Sequence, residues 1–245
     1  MKGKLYLIPT PIGENTPAEV LPQSTLQVVQ SVGIYVAEEI RTARRFLSAA
    51  GLKGKIEGIR FYELSEHSVR SDAEAYLKFL LDGEDVAVVS EAGLPAVADP
   101  GAMLVALAQK AGVEVVPMVG PSSLMLALMA SGLNGQRFEF NGYLSVRQEE
   151  RRAELLRMEK HSASGNCTEL FIETPYRNDA MLSDILSSCK PDTRLCIAAD
   201  IMMPDAFIRT MQIAEWRVKP VEIGKRPCVF LILAAPQGPA MISRR

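Results

Sequence analysis

Asp85 to Gly101 reads DVAVVSEAGLPAVADPG, and the parsing of that stretch decides the fold. Its first part is apolar without polar alternation, the pattern of a strand covered on both faces in a parallel sheet. The rest carries two glycines, two prolines and the acids Glu91 and Asp99, the chemistry of a loop rather than of a second regular element. Asp99 and Pro100 then supply an N-cap and a first-turn proline for a helix through Ala111, which Gly112 closes. A strand, VEVVPM, follows from Val113.

Outward from that unit the same alternation recurs. Lys4 to Ile8 is read as a strand, Gln23 to Val32 as a helix, Ile34 to Glu38 as a strand and Thr42 to Ala50 as a helix with Arg44 and Arg45 outward. Ser71 and Glu74 are spaced as a capping box opening a helix to about Leu81. Strands separated by single helices imply right-handed crossovers and an open parallel sheet.

After Pro117 the texture changes. Pro121 to Ala130 is an almost wholly apolar helix, too short to span a bilayer and expected to lie buried between layers. The strand-like RFEFNGYL, a charged helix from Gln148 to His161, the strand ELFIE, a helix from Pro175 to about Ser188, and the strands RLCIAAD, FIRTMQI and CVFLILA complete the chain. The last segments can pair antiparallel, so a mixed sheet is expected. The fold class is α/β with two domains, residues 1–117 with an open parallel sheet and residues 118–245 with a mixed one.

Bulk properties agree. The chain has 245 residues, 48% of them hydrophobic, and a formal net charge of -2, enough for two cores and without a global field toward nucleic acid. Cys167, Cys189, Cys196 and Cys228 lack CxxC spacing, and His67 and His161 are too few for a convincing zinc set, so no metal is expected. The amino-terminal MKGKLYLIPTPIG is neither a signal peptide nor a membrane span, which points to a soluble cytoplasmic protein.

In an open parallel sheet ligands bind beyond the carboxyl ends of the strands. IPTPIGE, SEAGLPAVADPG and VGPSS all leave such ends. Turn chemistry alone accounts for each; their joint occurrence on one edge points to a ligand crevice. Gly13, Gly93 and Gly120 would let backbone approach a ligand, and the amides opening the helix at Ser122 would bind a carboxylate. A dinucleotide is disfavoured, because neither G-x-G-x-x-G nor G-x-x-x-x-G-K-[ST] is present.

LYLIPTPIG, VAEEIRTARRFL, VSEAGLPAVADPG, PMVGPSSLMLALMASGL and FIETPYR together resemble the tetrapyrrole (corrin/porphyrin) methylase superfamily, and within it the ribosomal RNA small subunit methyltransferase I group. The resemblance implies two α/β domains, S-adenosylmethionine (SAM) folded into the cleft between them, and a homodimer. By motif position it assigns Pro11, Ile12, Gly13, Glu91, Ala92, Gly93, Gly120, Ser122 and Ser123 to the SAM site, with Ile172 and Glu173 as further contacts. On the acceptor side it implies a ribose hydroxyl of small-subunit ribosomal RNA, with Glu38, Glu39 and Arg41 as catalytic candidates. An exposed acid pair at a helix start with a surface arginine explains those three residues equally well, and a role in the fold alone explains Arg177.

Several positions depart from the group's pattern. Its E-D-T-R reads Glu38, Glu39, Ile40, Arg41, and its D-A-G-T-P reads Glu91, Ala92, Gly93, Leu94, Pro95; each loses a hydroxyl. Its His-rich block appears as FYELSEH, with His67 alone. Its basic stretch appears as GYLSVRQEERR, where Glu149 and Glu150 dilute Arg147, Arg151 and Arg152, and the chain stops soon after FLILAAP, without the further module of longer members. Three readings stay open: an RNA ribose methyltransferase, a methyltransferase for a small molecule such as a tetrapyrrole, and a non-catalytic SAM-binding protein.

Overall fold

The computed structural model describes residues 1–65, 67–219 and 221–236; Glu66 of the FYELSEH block lies outside them. The chain divides into two compact units, Met1–Ser122 and Ser123–Arg245.

The first unit is a parallel sheet of β1 (Lys4–Ile8), β2 (Ile34–Ala37), β3 (Arg60–Glu63), β4 (Val86–Val89) and β5 (Glu114–Pro117), in the order β3-β2-β4-β1-β5. Side chains alternate strictly. Tyr6, Ile8, Tyr35, Ala37, Ala87 and Val89 join one core with α2 (Gln23–Ser31), which follows the short α1 (Pro17–Val20), and α3 (Ile40–Leu47). Leu5, Leu7, Ile34, Val36, Val86 and Val88 join the opposite core, with α4 (Arg70–Leu81) and α5 (Ala102–Lys110). Burial on both faces explains why β4 carries no polar residue.

Two local expectations shift. The capping box opens two residues early: Val69 is extended and its N–H donates to Asp72 Oδ2 at 2.9 Å, while Glu74 pairs instead with Arg70 at 2.8 Å. Because Val69 rather than Ser71 precedes the first turn, the third helical position falls on Asp72. Helix α3 begins at Ile40 and runs into a π-type turn, Ser48–Leu52, where Gly51 has φ +100°.

The second unit is a mixed sheet of β6 (Phe138–Tyr143), β7 (Thr168–Ile172), β8 (Arg194–Ala199), β9 (Phe207–Gln212) and β10 (Cys228–Leu233), ordered β6-β7-β10-β8-β9. β6 and β7 are parallel; β10 is antiparallel to β7 and β8, and β8 to β9. The two closing strands thus each pair with β8 and not with one another. α7 (Gln148–Gly165), α8 (Asn178–Ser188) and α9 (Ile213–Val218) cover one face of the sheet around Phe171 and Phe230, stacked at 5.6 Å. α6 (Ser123–Ser131) covers the other through Leu124, Ala127 and Leu128. The expectation that this apolar helix lies buried between layers is corrected: Met125 and Met129 are 44% and 76% exposed, so one side of it is uncovered. Among the described residues no helix is long and apolar enough to cross a membrane.

Candidate functional site

β1 and β4 are hydrogen-bonded neighbours, Leu5 to Ile8 against Val86 to Val89. The chain leaves β1 for the α2 face and leaves β4 for the α5 face. Adjacent parallel strands whose connections part to opposite faces form a topological switch point, where loops splay above the sheet edge and ligands bind in open α/β folds. β5 flanks β1 on the other side, so the three loops singled out in the sequence do share this edge.

Backbone ties hold the edge together. Thr10 N donates to Gly93 O at 2.9 Å and Gly93 N to Thr10 O at 3.2 Å. The buried Thr10 and Ser90 hydroxyls brace the same turn: Thr10 Oγ1 donates to Ser90 O at 3.3 Å and Ser90 Oγ to Gly93 O at 3.0 Å. Thr25 Oγ1, from α2, donates to Val119 O at 3.0 Å and so anchors the third loop. Past Gly93, Asp99 Oδ1 accepts from Ala96 N and Gly101 N at 3.2 and 2.9 Å. Ala96 and Ala98 both have positive φ, +64° and +53°, a conformation costing a residue with a Cβ about 1–2 kcal/mol. Strain of this kind gathers where a loop's shape serves a ligand.

The predicted donor residues divide by environment. Pro11 and Ile12 are half-buried, Gly13, Glu91 and Ala92 exposed, and Gly93 buried. Gly93 has φ +79°, and a Cβ there would stand 3.7 Å from Pro121 O, in ordinary contact. Gly120 differs from expectation. A Cβ on it would fall 2.4 Å from Pro9 Cβ, so the space its missing side chain leaves is filled by the protein's own proline, not kept for a ligand. Ser122 and Ser123 are half-buried, and α6 opens at Ser123.

In the second unit Ile172 ends β7 and is half-buried. The Glu173 side chain is wholly buried: its Oε1 accepts from Thr174 N at 2.7 Å and from Arg177 Nε and Nη2 at 2.9 and 2.5 Å, and its Oε2 has no partner. A buried carboxylate oxygen without a donor costs of the order of 1–3 kcal/mol.

At the end of β2, next to β4, sit the acceptor-side candidates. Glu38 is half-buried and Arg41 exposed. Both oxygens of Glu39 are engaged at the start of α3, Oε1 by Arg41 N at 2.8 Å and Oε2 by Thr42 N and Oγ1 at 2.6 and 2.9 Å. The Arg41 amide first, with Thr42, holds this carboxyl below its ordinary pKa, the behaviour of a helix cap. From Arg41 the chain carries Arg44, Arg45, Lys53 and Lys55 with no acid between residues 40 and 56, and all five cations are exposed. The Arg44 guanidinium lies 5.0 Å over the Phe61 ring.

The stretch expected to be a diluted basic patch is neutralised internally. Arg147 pairs with Glu150 at 3.1 Å; Arg151, buried, places Nε and Nη2 on Asp184 at 2.9 and 2.5 Å; Arg152 reaches the same carboxylate at 2.8 Å. Nothing in residues 147–152 betrays the pairing of Arg151 and Arg152, since Asp184 lies more than thirty residues away.

The profile of the family described as Tetrapyrrole (Corrin/Porphyrin) Methylases matches residues 4–216. A protein of Neisseria meningitidis serogroup B named ribosomal RNA small subunit methyltransferase I is 38% identical over 199 residues, 81% of this chain and 64% of its own length. The match thus spans under two thirds of that relative. A Pseudomonas aeruginosa protein of the same name is 31% identical over 241 residues, covering 96% of this chain and 81% of its own. Among solved structures, a diphthine synthase superposes with a TM-score of 0.66 at 16% identity, covering 95% of this chain and 90% of its own. A uroporphyrin-III C-methyl transferase from Thermus thermophilus, complexed with S-adenyl homocysteine, gives 0.57 at 16% identity, covering 94% and 97%. At such identities the likeness establishes the fold.

Proposed function

This chain belongs to the tetrapyrrole (corrin/porphyrin) methylase family, and from that premise we propose that it transfers the methyl group of SAM to a ribose 2'-hydroxyl of small-subunit ribosomal RNA. The observation that carries the reading is the switch point between β1 and β4, whose loops are tied to each other at Thr10 and Gly93 and strained beyond it. The relatives named as ribosomal RNA small subunit methyltransferases support the acceptor.

The residues fit the donor. Pro11, Ile12 and Gly13, then Glu91, Ala92 and Gly93, and Ser122 and Ser123 hold it, and Gly120 keeps the third loop against Pro9. When bound, SAM supplies an electrophilic methyl on a sulfonium. The chain's own contribution is positioning, which can be worth roughly 7–11 kcal/mol of a barrier. Glu38 would take the proton of the acceptor hydroxyl that receives the methyl group. Glu39 acts as a positioning residue by fixing the start of the helix that carries Arg41. The cations between residues 41 and 55 meet the RNA phosphates, each contact releasing counterions. The protein works in the cytoplasm, in keeping with four free, buried cysteines, and as the homodimer its family resemblance implies, which light scattering of the purified chain checks.

Primer extension across ribose-methylated positions of small-subunit ribosomal RNA, with and without the gene, tests the acceptor. One stop should vanish on deletion and return with the wild-type copy. An unchanged pattern overturns the RNA reading. The neutralised stretch at 147–152 favours, as a second reading, a small-molecule acceptor, which a labelled methyl group appearing in a metabolite extract and not in RNA would support. Donor binding without transfer to either would leave a non-catalytic SAM-binding protein.

A further inference from the structure

At the far edge of the second sheet Glu139 of β6 and Glu169 of β7 are register partners in a parallel pair. Like charges facing each other across strands are destabilising. Here both converge on one atom: His161 Nδ1 lies 2.6 Å from Glu169 Oε1 and 3.6 Å from Glu139 Oε2. A thiol completes the group, for the ligand atoms of His161, Cys167 and Glu169 all lie within 4.8 Å of one another. We infer that His161 Nδ1, Cys167 Sγ and the Glu169 carboxylate, with Glu139 as the fourth ligand, form a site for a late first-row divalent cation of the zinc type.

The ligand set is the first reason. One imidazole, one thiolate and carboxylate oxygen suit zinc and its neighbours, while an all-oxygen set would suit magnesium or calcium. Four ligands at zinc–ligand lengths of about 2.0–2.3 Å stand some 3.3–3.7 Å apart around a tetrahedron. His161 and Glu169 must therefore open by somewhat under ~1 Å and the thiol close by ~1 Å, movements within the reach of side-chain torsions.

The acids Glu139 and Glu169 face the site, with the Arg137 guanidinium the opposing charge that also acts on Cys167. The Glu169 side chain is 1% exposed, and its second oxygen accepts from Asn141 Nδ2 at 2.8 Å, which fixes the carboxylate as outer hydrogen bonds do at metal sites. Cys167 is buried, whereas His161 and Glu139 are 41% and 52% exposed and leave an entry path. His161 lies near the carboxyl end of α7, which Asn166 closes in the left-handed conformation at φ +49°, and that end of a helix favours positive charge. Burial, and then the Glu169 carboxylate, push the Cys167 thiol up. The thiol proton leaves to solvent as sulfur takes the metal, and the imidazole binds through an unprotonated Nδ1, so affinity falls with falling pH.

Cobalt(II) titration of the metal-stripped full-length chain reads this directly. The wild type should bind one equivalent with the visible bands of a tetrahedral site and a sulfur-to-cobalt charge-transfer band, both erased by stoichiometric zinc. Cys167→Ser, nearly isosteric, should lose the charge-transfer band, and His161→Ala, at a part-exposed position, should lose the tetrahedral spectrum. Asn141→Ala should weaken binding by about tenfold or more. Zinc should raise the Tm of the wild type but not of Cys167→Ser, with circular dichroism confirming that each variant is folded. Absence of tetrahedral absorption in the wild type, or a Cys167→Ser spectrum and affinity equal to the wild type's, overturns the site.

Discussion

Residues 41–55 and 147–152 look alike as basic segments and differ completely in the fold. In the first, five cations stand exposed, from Arg41 at the carboxyl end of β2 to Lys53 and Lys55 beyond the far end of α3. In the second, two arginines spend their guanidinium groups on the buried Asp184 and the third on Glu150. The contrast teaches that charge on paper is not charge presented to a partner. An arginine whose acid is supplied from a distant helix belongs to the scaffold, and the sequence around it carries no sign of this.

The largest effect that tests the contrast lies at Asp184. Burial works to raise its pKa, but hydrogen bonds from Arg151, Arg152 and Gln148 outweigh it and hold the carboxyl below its ordinary value. A folded pKa below the unfolded one, about 3.9, means that the group stabilises the fold above that pH. That stability drains away as pH falls through the folded value. Asp184→Asn, which strands the buried Arg151 charge, should cost about 3–5 kcal/mol in urea unfolding at neutral pH and flatten the acid limb of the stability profile. RNA affinity of the folded variant should be unchanged. A loss below about 1 kcal/mol would mean that Arg151 finds another partner and that the segment is not locked.

Next in size, the two loop glycines should part company. Gly120→Ala drives a Cβ into the Pro9 ring, whose backbone tether leaves it little room to yield, and should cost about 1–3 kcal/mol of stability. Gly93→Ala meets no close atom, so its cost should stay near the 1–2 kcal/mol of left-handed strain, with weakened SAM binding as its main effect. Calorimetric SAM titration alongside thermal unfolding separates the two; equal Tm losses would remove the distinction.

Smaller still is the effect on RNA. Arg41→Ala with Arg45→Ala should leave Tm and SAM affinity intact while the salt dependence of RNA binding falls by about 0.7–0.9 for each phosphate no longer neutralised. An unaltered slope in filter binding would return both arginines to the helix surface. Arg152→Ala, whose side chain is 44% exposed, should shift stability by at most about 1 kcal/mol and leave the RNA slope alone. A reduced slope there would restore the 147–152 segment as an RNA-binding surface.

The parallel sheet is legible in the sequence because apolar runs buried on both faces and single intervening helices leave few topologies. The common loop edge follows from the same rule. β3 escapes such a reading: Arg60-Phe61-Tyr62-Glu63 is a four-residue edge strand with charged ends, without a pattern long enough to be recognised. α9 escapes it because six residues after a strand show no period. The site residues are nameable by motif, but their jobs are not. Glu39 as a cap is only half visible, and Gly120 against Pro9 and His161 between two glutamates depend on tertiary neighbours that the linear order of residues does not contain.

One measurement bears most directly on the central claim that the β1–β4 switch point holds the methyl donor: a crystal structure of the chain with S-adenosylhomocysteine. The account predicts the product lying along the loops after β1, β4 and β5, against Gly93 and the backbone around it. Well-ordered product bound away from those loops, or saturating product that leaves them untouched, would contradict it.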